Sequence, residues 1–296
     1  MAGILRRRMR PMNPALAALL AGATCIALSP IFVRLADTGP TASAFWRVAL
    51  AVPALWALYL LKDKSPGKRY GGRWPLLAAA GVAFAGDLGF WHLSIQYTSV
   101  ANSTLLANLA SIFVTLAAWT FLRQRPTAMF LAGLGCALGG VVLLVGSSTG
   151  YSRTGLIGDA FGVLTAMFYA AYIFAVKGLR DRGERTLYLM AVASTVTALV
   201  LLPVALASGE RFLPAGAYGW SVLLGLALVS HAGGQGLIAY ALAHLPAAFS
   251  SVSLLLQPVM AALFAWAILS ESLVPLQVAG GLIVLAGIYL ARRGSA

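Results

Sequence analysis

The sequence predicts an all-α polytopic membrane protein, with ten transmembrane helices arranged as two inverted five-helix repeats. Three observations lead there. First, the 296 residues are 60% apolar and only 10% charged, against about 25% charged in ordinary soluble domains. Mean hydropathy is +0.86, more apolar than a water-soluble protein can cover with polar surface. Second, the apolar residues fall into ten runs of membrane-spanning length. Third, the second half of the chain repeats the first at an offset of 147 positions. The composition also excludes disorder, a collagen-like chain and a disulfide scaffold. The runs are too long and too evenly apolar for the strands of a transmembrane barrel.

A helix needs about 20 apolar residues to cross the hydrocarbon core. The runs lie at 13–36, 41–61, 74–96, 98–121, 127–146, 155–178, 186–207, 216–242, 247–270 and 273–291. Little chain remains outside them, so only short loops and tails are expected. The first run follows a basic stretch, as a signal peptide would, but it is too long and continues through Pro30. Thr24 before Cys25 also spoils a lipoprotein cleavage site. It is therefore read as a retained helix behind a basic tail, residues 1–12. Pro30, Pro53, Pro203 and Pro258 fall inside runs and mark bends. Gly135-x-x-x-Gly139 in the fifth run is read as close packing inside the monomer.

The charges give an orientation. The net charge is +13, which in a soluble chain would point to nucleic acid. Here the basic residues lie in short clusters between apolar runs, so membrane topology accounts for them. Alternating sides from the N-terminus places 17 of the 21 Lys and Arg residues on the N-terminal side. The other four are Arg34, Arg47, Arg153 and Arg211. The positive-inside rule then puts both termini in the cytoplasm. The two cysteines, Cys25 and Cys136, both lie in apolar runs and support neither a disulfide framework nor a zinc site.

The repeat carries the functional reading. At the offset of 147, Leu116 to Leu122 fall on Leu263 to Leu269, with Trp119 on Trp266. Gly86 falls on Gly233, Gly89 on Gly236, Gly133 on Gly280 and Gly140 on Gly287. The unit is five helices, residues 13–146 and 155–291. An odd number makes the second copy enter the membrane from the opposite side. Inverted repeats of this kind are a design of secondary transporters, with the substrate held near the midplane between the halves.

On these residues the chain resembles the drug/metabolite transporter superfamily, the ten-helix type with two EamA domains. The second half carries Gln257-Pro258, Trp266, Ser270-Glu271-Ser272, Gln277, Gly280 and Gly287. The first carries Ala44-Phe45-Trp46-Arg47, similar to the family's second-helix Arg motif. Ala110-Ser111 replace the Gln-Pro of the other half, and Gln124 stands where the family usually has Glu. These departures imply halves that are not equivalent in movement or substrate contact. The resemblance implies export of amino acids or other small metabolites across a bacterial inner membrane. The aromatic-rich helices and compact loops are most similar to the aromatic amino-acid exporter branch.

Ionisable and polar groups at membrane depth are costly, and so are functional candidates. Asp87, in the middle of the third run, shares a helical face with Phe84 and Trp91. The offset places Phe84 on His231, so the reading has Asp87 and His231 facing one central cavity. Two roles stay open for Asp87: binding an ammonium or carrying a proton, or a structural carboxylate held by Ser or Thr. Asn102, Asn108, Gln235, Tyr240 and Gln257 offer neutral polar groups for a polar substrate, or serve as interhelical glue. Tyr169 and Trp91 lie deep enough to give a ligand an aromatic face; Trp46 and Tyr172 are weaker candidates. Trp74, Tyr218 and Trp220 fit an interfacial belt. Arg47 is read as an interfacial anchor, with capture of a carboxylate as the alternative.

The reading is an exporter of aromatic or other apolar amino acids working by alternating access, monomeric or weakly associating, with a small-molecule substrate and membrane lipid as its partners. No cofactor and no nucleic acid is called for. Proton exchange through Asp87 and His231 and passive facilitated export both stay open. A lipid or isoprenoid scramblase is the alternative. An intramembrane enzyme is disfavoured, because no metal-ligand spacing, nucleophile–base pair or Walker motif is readable. A channel is disfavoured because one Asp in one span makes a poor filter.

Overall fold

A computed structural model of the chain describes residues 13–62, 73–98, 100–145 and 153–295, apart from the side chains of 100–102, 145, 153 and 154. The basic tail 1–12 and the loop with Lys64, Lys68 and Arg69 lie outside the described residues. The described chain is helical and carries no strand. Among the described residues ten apolar helical elements follow one another. They are α1 (Pro14–Leu35), α2 (Pro40–Lys62), α3 (Trp74–Tyr97), α4 (Ser103–Leu122) and α5 (Ala128–Leu144). Then come α6 (Gly155–Asp181), α7 (Thr186–Ala207), α8 (Ala217–Ala241), α9 (Ala247–Leu269) and α10 (Pro275–Gly294). Nine of them are long and apolar enough to cross a membrane, and α5 is a shorter apolar helix.

Local chemistry sets the ends and the breaks. Asn13 accepts from the Ala15 amide at 2.9 Å, and prolines open α1, α2, α3 and α10 in their first turns, where a missing N–H costs nothing. A proline ring clashes with the carbonyl four residues back. Accordingly, α1 breaks at Leu28 ahead of Pro30, and α2 breaks at Leu50 ahead of Pro53. The break in α9 falls at Leu254–Leu255 ahead of Pro258. Pro203, by contrast, lies within a continuous α7.

The first repeat breaks α4 at Asn108–Leu109, one residue beyond the place equivalent to the break in α9, without a proline. Side chains take over. Asn108 Nδ2 donates to the Thr104 carbonyl at 2.7 Å, and Ser111 Oγ donates to the Asn108 carbonyl at 2.9 Å. Such bonds compete with the helical ladder. So Ala110-Ser111 keep the geometry that Gln257-Pro258 impose in the other half. The C-terminal ends match as well, since Arg123 and Ser270 both adopt left-handed φ, 55° and 56°.

Packing follows the same two-fold plan. Close packing joins α5–α10, α3–α6, α1–α8 and α2–α7, and α4 meets α9 over a smaller contact. Exchanging the two repeats maps α3–α6 onto α8–α1 and maps the other three pairs onto themselves. The self-paired helices run antiparallel. Gly133 of α5 meets Ala291 of α10, whereas Gly140 meets Gly280 and Val284. Likewise Thr41 of α2 bonds Glu210 beyond the end of α7, and Trp56 bonds Thr195. Equivalent helices therefore point in opposite directions, which is the inversion. Gly133 of α5 packs on Gly287 and Gly140 packs on Gly280, each against the two-fold equivalent of the other. Gly135 and Gly139 do not take part: a Cβ on either would meet nothing within 4 Å. The reading of that motif as packing inside the monomer is corrected, because its spacing selects the outward face of α5.

The loops tie the bundle at both ends. At the α1–α2 end, Asp37 accepts from the Ala215 amide at 2.7 Å. There Glu210 also caps α2 through the amides of Thr41 and Ala42, at 2.7 and 3.3 Å. Arg34 pairs with Glu271 at the same end. At the opposite end Arg73 reaches the buried Glu184 at 3.4 Å, and Arg180 donates to the Glu184 carbonyl.

Candidate functional site

A cavity of about 150 Å³ lies at the interface of the repeats. On a comparable measure, a cavity of that size accepts a benzene-sized guest. The two helix breaks face each other across it, with Asn108, Ala110 and Ser111 on one side and Leu255, Gln257 and Pro258 on the other. Equivalent pairs such as Ile26 and Ile173, or Thr104 and Ser251, both line it. The two-fold axis therefore passes through the cavity.

The polar lining is not symmetric. Arg47, Asp87 and Trp91 line the cavity. Their equivalents Ser194, Gly234 and Ile238 do not. The reason lies in the helix contacts. Between α1 and α8, Gly22 and Gly234 bring the backbones together, and a Cβ on Gly22 would stand 2.8 Å from the Gly234 carbonyl. The positions equivalent to Gly22 and Gly234 are Tyr169 and Asp87, between α6 and α3. Side chains there hold open the space that glycines close on the other side. Pro30, Ser29 and Ala27 also line the cavity while Lys177, Val176 and Phe174 do not, so it extends toward the α1–α2 end of the bundle.

The polar groups are under-satisfied. Arg47 is only 6% exposed, and its Nε has no hydrogen-bond partner. Arg47 and Asp87 feel each other's charge, yet none of the ion pairs among the described residues joins them. The Tyr169 hydroxyl lies beside the Gln235 and Gln257 side chains but closes a hydrogen bond with neither, and Gln235 Oε1 is also unpartnered. Leaving such groups buried and unbonded is costly. A polar ligand relieves it.

Asp87, Trp91, Tyr169, Gln235 and Gln257 thus come together as the sequence suggested. Asn102 lies in the helical residues just ahead of α4, and its side chain is outside the described residues. Two candidates lie elsewhere. His231 is buried behind the cavity wall, stacked on Phe84 at 5.3 Å, with Nε2 hydrogen-bonded to Ser194 Oγ at 2.8 Å. It does not face Asp87 across a shared space. The cause is the winding of α8, which is a π-helix over Leu226–Gln235. Its wider turns rotate side chains away from the faces expected of an α-helix. Tyr240 is 38% exposed and stacks on His244 at 4.9 Å, away from the cavity.

Arg47 is the residue whose role is revised. It is no interfacial anchor: it is buried, and it lines the cavity. Its place between apolar neighbours, about two turns into α2, was the available signal. The other aromatics belong to the frame. Trp46 Nε1 donates to the Phe212 carbonyl at 2.8 Å and packs on Trp220. Tyr172 lies against Phe84, with its hydroxyl toward Met190. Trp74 and Tyr218 are exposed, as an interfacial belt requires.

Antiparallel pairing of like helices around a central cavity is the architecture of inverted-repeat membrane transporters. Comparison with known proteins gives the family. The EamA-like transporter family matches residues 13–146 and again 156–293. The chain belongs to that family. It is 30% identical to the pseudopaline exporter CntI of Pseudomonas aeruginosa over 94% of this chain and 95% of that one. It is 28% identical to the threonine/homoserine exporter RhtA of Escherichia coli over 81% of this chain and 74% of that one. A solved crystal structure superposes with a TM-score of 0.83 at 14% identity, covering 95% of this chain and 98% of the other. These two relatives are named as exporters, and this chain is a multi-pass membrane protein of the EamA-like transporter family.

Proposed function

We propose that the protein exports amino acids with apolar side chains, aromatic ones among them, by alternating access between its two inverted halves. One observation supports this most: a cavity on the pseudo-two-fold axis, lined by unsatisfied polar groups of both repeats and by apolar walls from Phe84, Leu88 and Ile173. Polar ends suit a charged head and apolar walls suit a side chain. The names of the relatives point the same way. Alternating access follows from the inversion, because exchanging the conformations of two opposed copies turns a cavity that reaches one face into one that reaches the other. The Lys and Arg bias supports an inner-membrane location with both termini cytoplasmic.

Counterflow in proteoliposomes tests the reading. Saturable exchange of labelled amino acid, accelerated by unlabelled amino acid on the other side, is the expected result. Ion current without exchange, or flipping of labelled phospholipid instead, overturns it.

A further inference from the structure

We propose that Arg47 and Asp87 form a one-sided clamp for a zwitterionic head group, Arg47 taking a free carboxylate and Asp87 a free ammonium. The inference rests on the carrier reading above and deepens it. A guanidinium presents a planar fork of donors that matches a carboxylate, and it holds its charge at any working pH. Arg47 is buried with its Nε unpartnered and opens on the cavity. An ionised Asp can only accept, as an ammonium requires. Asp87 opens on the same cavity, and none of the ion pairs among the described residues engages its carboxylate. The two charges sense each other without pairing. A ligand with opposite charges on neighbouring atoms satisfies both at once. Gln235 Oε1, unpartnered beside Tyr169, gives the ammonium a further acceptor.

The clamp belongs to one repeat. Ser194 stands at the position equivalent to Arg47 and is bonded to His231. Gly234 stands at the position equivalent to Asp87 and is packed on Gly22. A head group held by α2 and α3 therefore stays with the first repeat while the second repeat shifts around it. Such a site rejects ligands with only one of the two charges, because each leaves a buried charge unanswered.

The test uses the purified full chain in liposomes. Labelled phenylalanine, leucine and threonine are assayed for counterflow, and the fastest becomes the reporter. Its decarboxylated amine and its deaminated acid are the competitors. Both are expected to inhibit at least about tenfold more weakly than the amino acid. Asp87→Asn is expected to narrow the gap between amino acid and deaminated acid, and Arg47→Gln the gap between amino acid and amine. These ratios do not depend on how much of a variant folds. Gaps unchanged in both variants, or an amine or acid as potent as the amino acid, overturn the clamp and leave the carrier standing. Absence of saturable exchange with all three amino acids overturns the carrier reading, and the clamp falls with it.

Discussion

Replacing Gly140 by Ala probes the interlock of the two repeats. A Cβ at Gly140 would stand 2.6 Å from the Val284 amide nitrogen and 2.7 Å from the Gly280 carbonyl. Ordinary contact begins at 3.4 Å, so α5 and α10 must part by roughly 0.7 Å, and a gap of that size forfeits about a quarter to a half of each dispersion contact. The obstacles are backbone atoms, which cannot rotate away. Overpacking then costs up to about 3 kcal/mol, offset by about 0.5–1 kcal/mol from removing a helical glycine. A net loss of about 2 kcal/mol is expected. Gly139→Ala is the matched control one residue away. It meets nothing within 4 Å and keeps only the gain of up to about 1 kcal/mol. The swing between neighbours is therefore about 3 kcal/mol, read by reversible unfolding in mixed detergent micelles. Gly287→Ala, the two-fold equivalent, is expected to follow Gly140→Ala, since its Cβ would meet Ala137 backbone at 2.4 Å. Equal effects at positions 139 and 140 refute the interlock.

Three further outcomes follow from the frame. Ser194→Ala removes the 2.8 Å partner of His231 Nε2 and is expected to cost about 1–3 kcal/mol in detergent unfolding, while the KM for exchange stays unchanged. Glu210→Gln weakens the cap on α2, whose bonds to Thr41 and Ala42 are 2.7 and 3.3 Å. A loss of about 0.5–2 kcal/mol is expected in the same assay. Ser111→Pro copies the α9 break into α4, where the Ser111 amide makes only a 3.3 Å bond. Its cost is expected to fall well below the roughly 3 kcal/mol of a proline in regular helix, measured against Thr115→Pro.

Much of the fold was legible in the sequence, because hydrocarbon thickness sets the length of every span and an odd-numbered repeat forces inversion. Breaks at Pro30, Pro53 and Pro258 were legible for the same kind of reason: each proline lacks a donor. The break at Asn108 was not, since it arises from side chains that bond carbonyls only once the helix is folded. The candidate site was half legible. Asp87 and Trp91 stand in a regular α-helix, so spacing predicted their shared face, and Tyr169 was legible from its depth in α6. His231 lies in the π stretch, where the assumed turn per residue fails. Arg47 was misplaced because a cation near the start of a span has the same sequence appearance whether it snorkels outward or turns inward. For α5, small-residue spacing could not tell Gly133 and Gly140 from Gly135 and Gly139. The partner helix decides which pair is used.

The unlike construction of the α4 and α9 bends makes one of them mendable. The bend in α9 is covalent in origin, and no rearrangement gives Pro258 a donor. The bend in α4 is held by an amide and a hydroxyl on backbone carbonyls, and both can let go. When they do, α4 is free to straighten and re-form its ladder while α9 stays bent. The two copies, alike in outline, then differ in stiffness, with the supple member on one wall of the cavity.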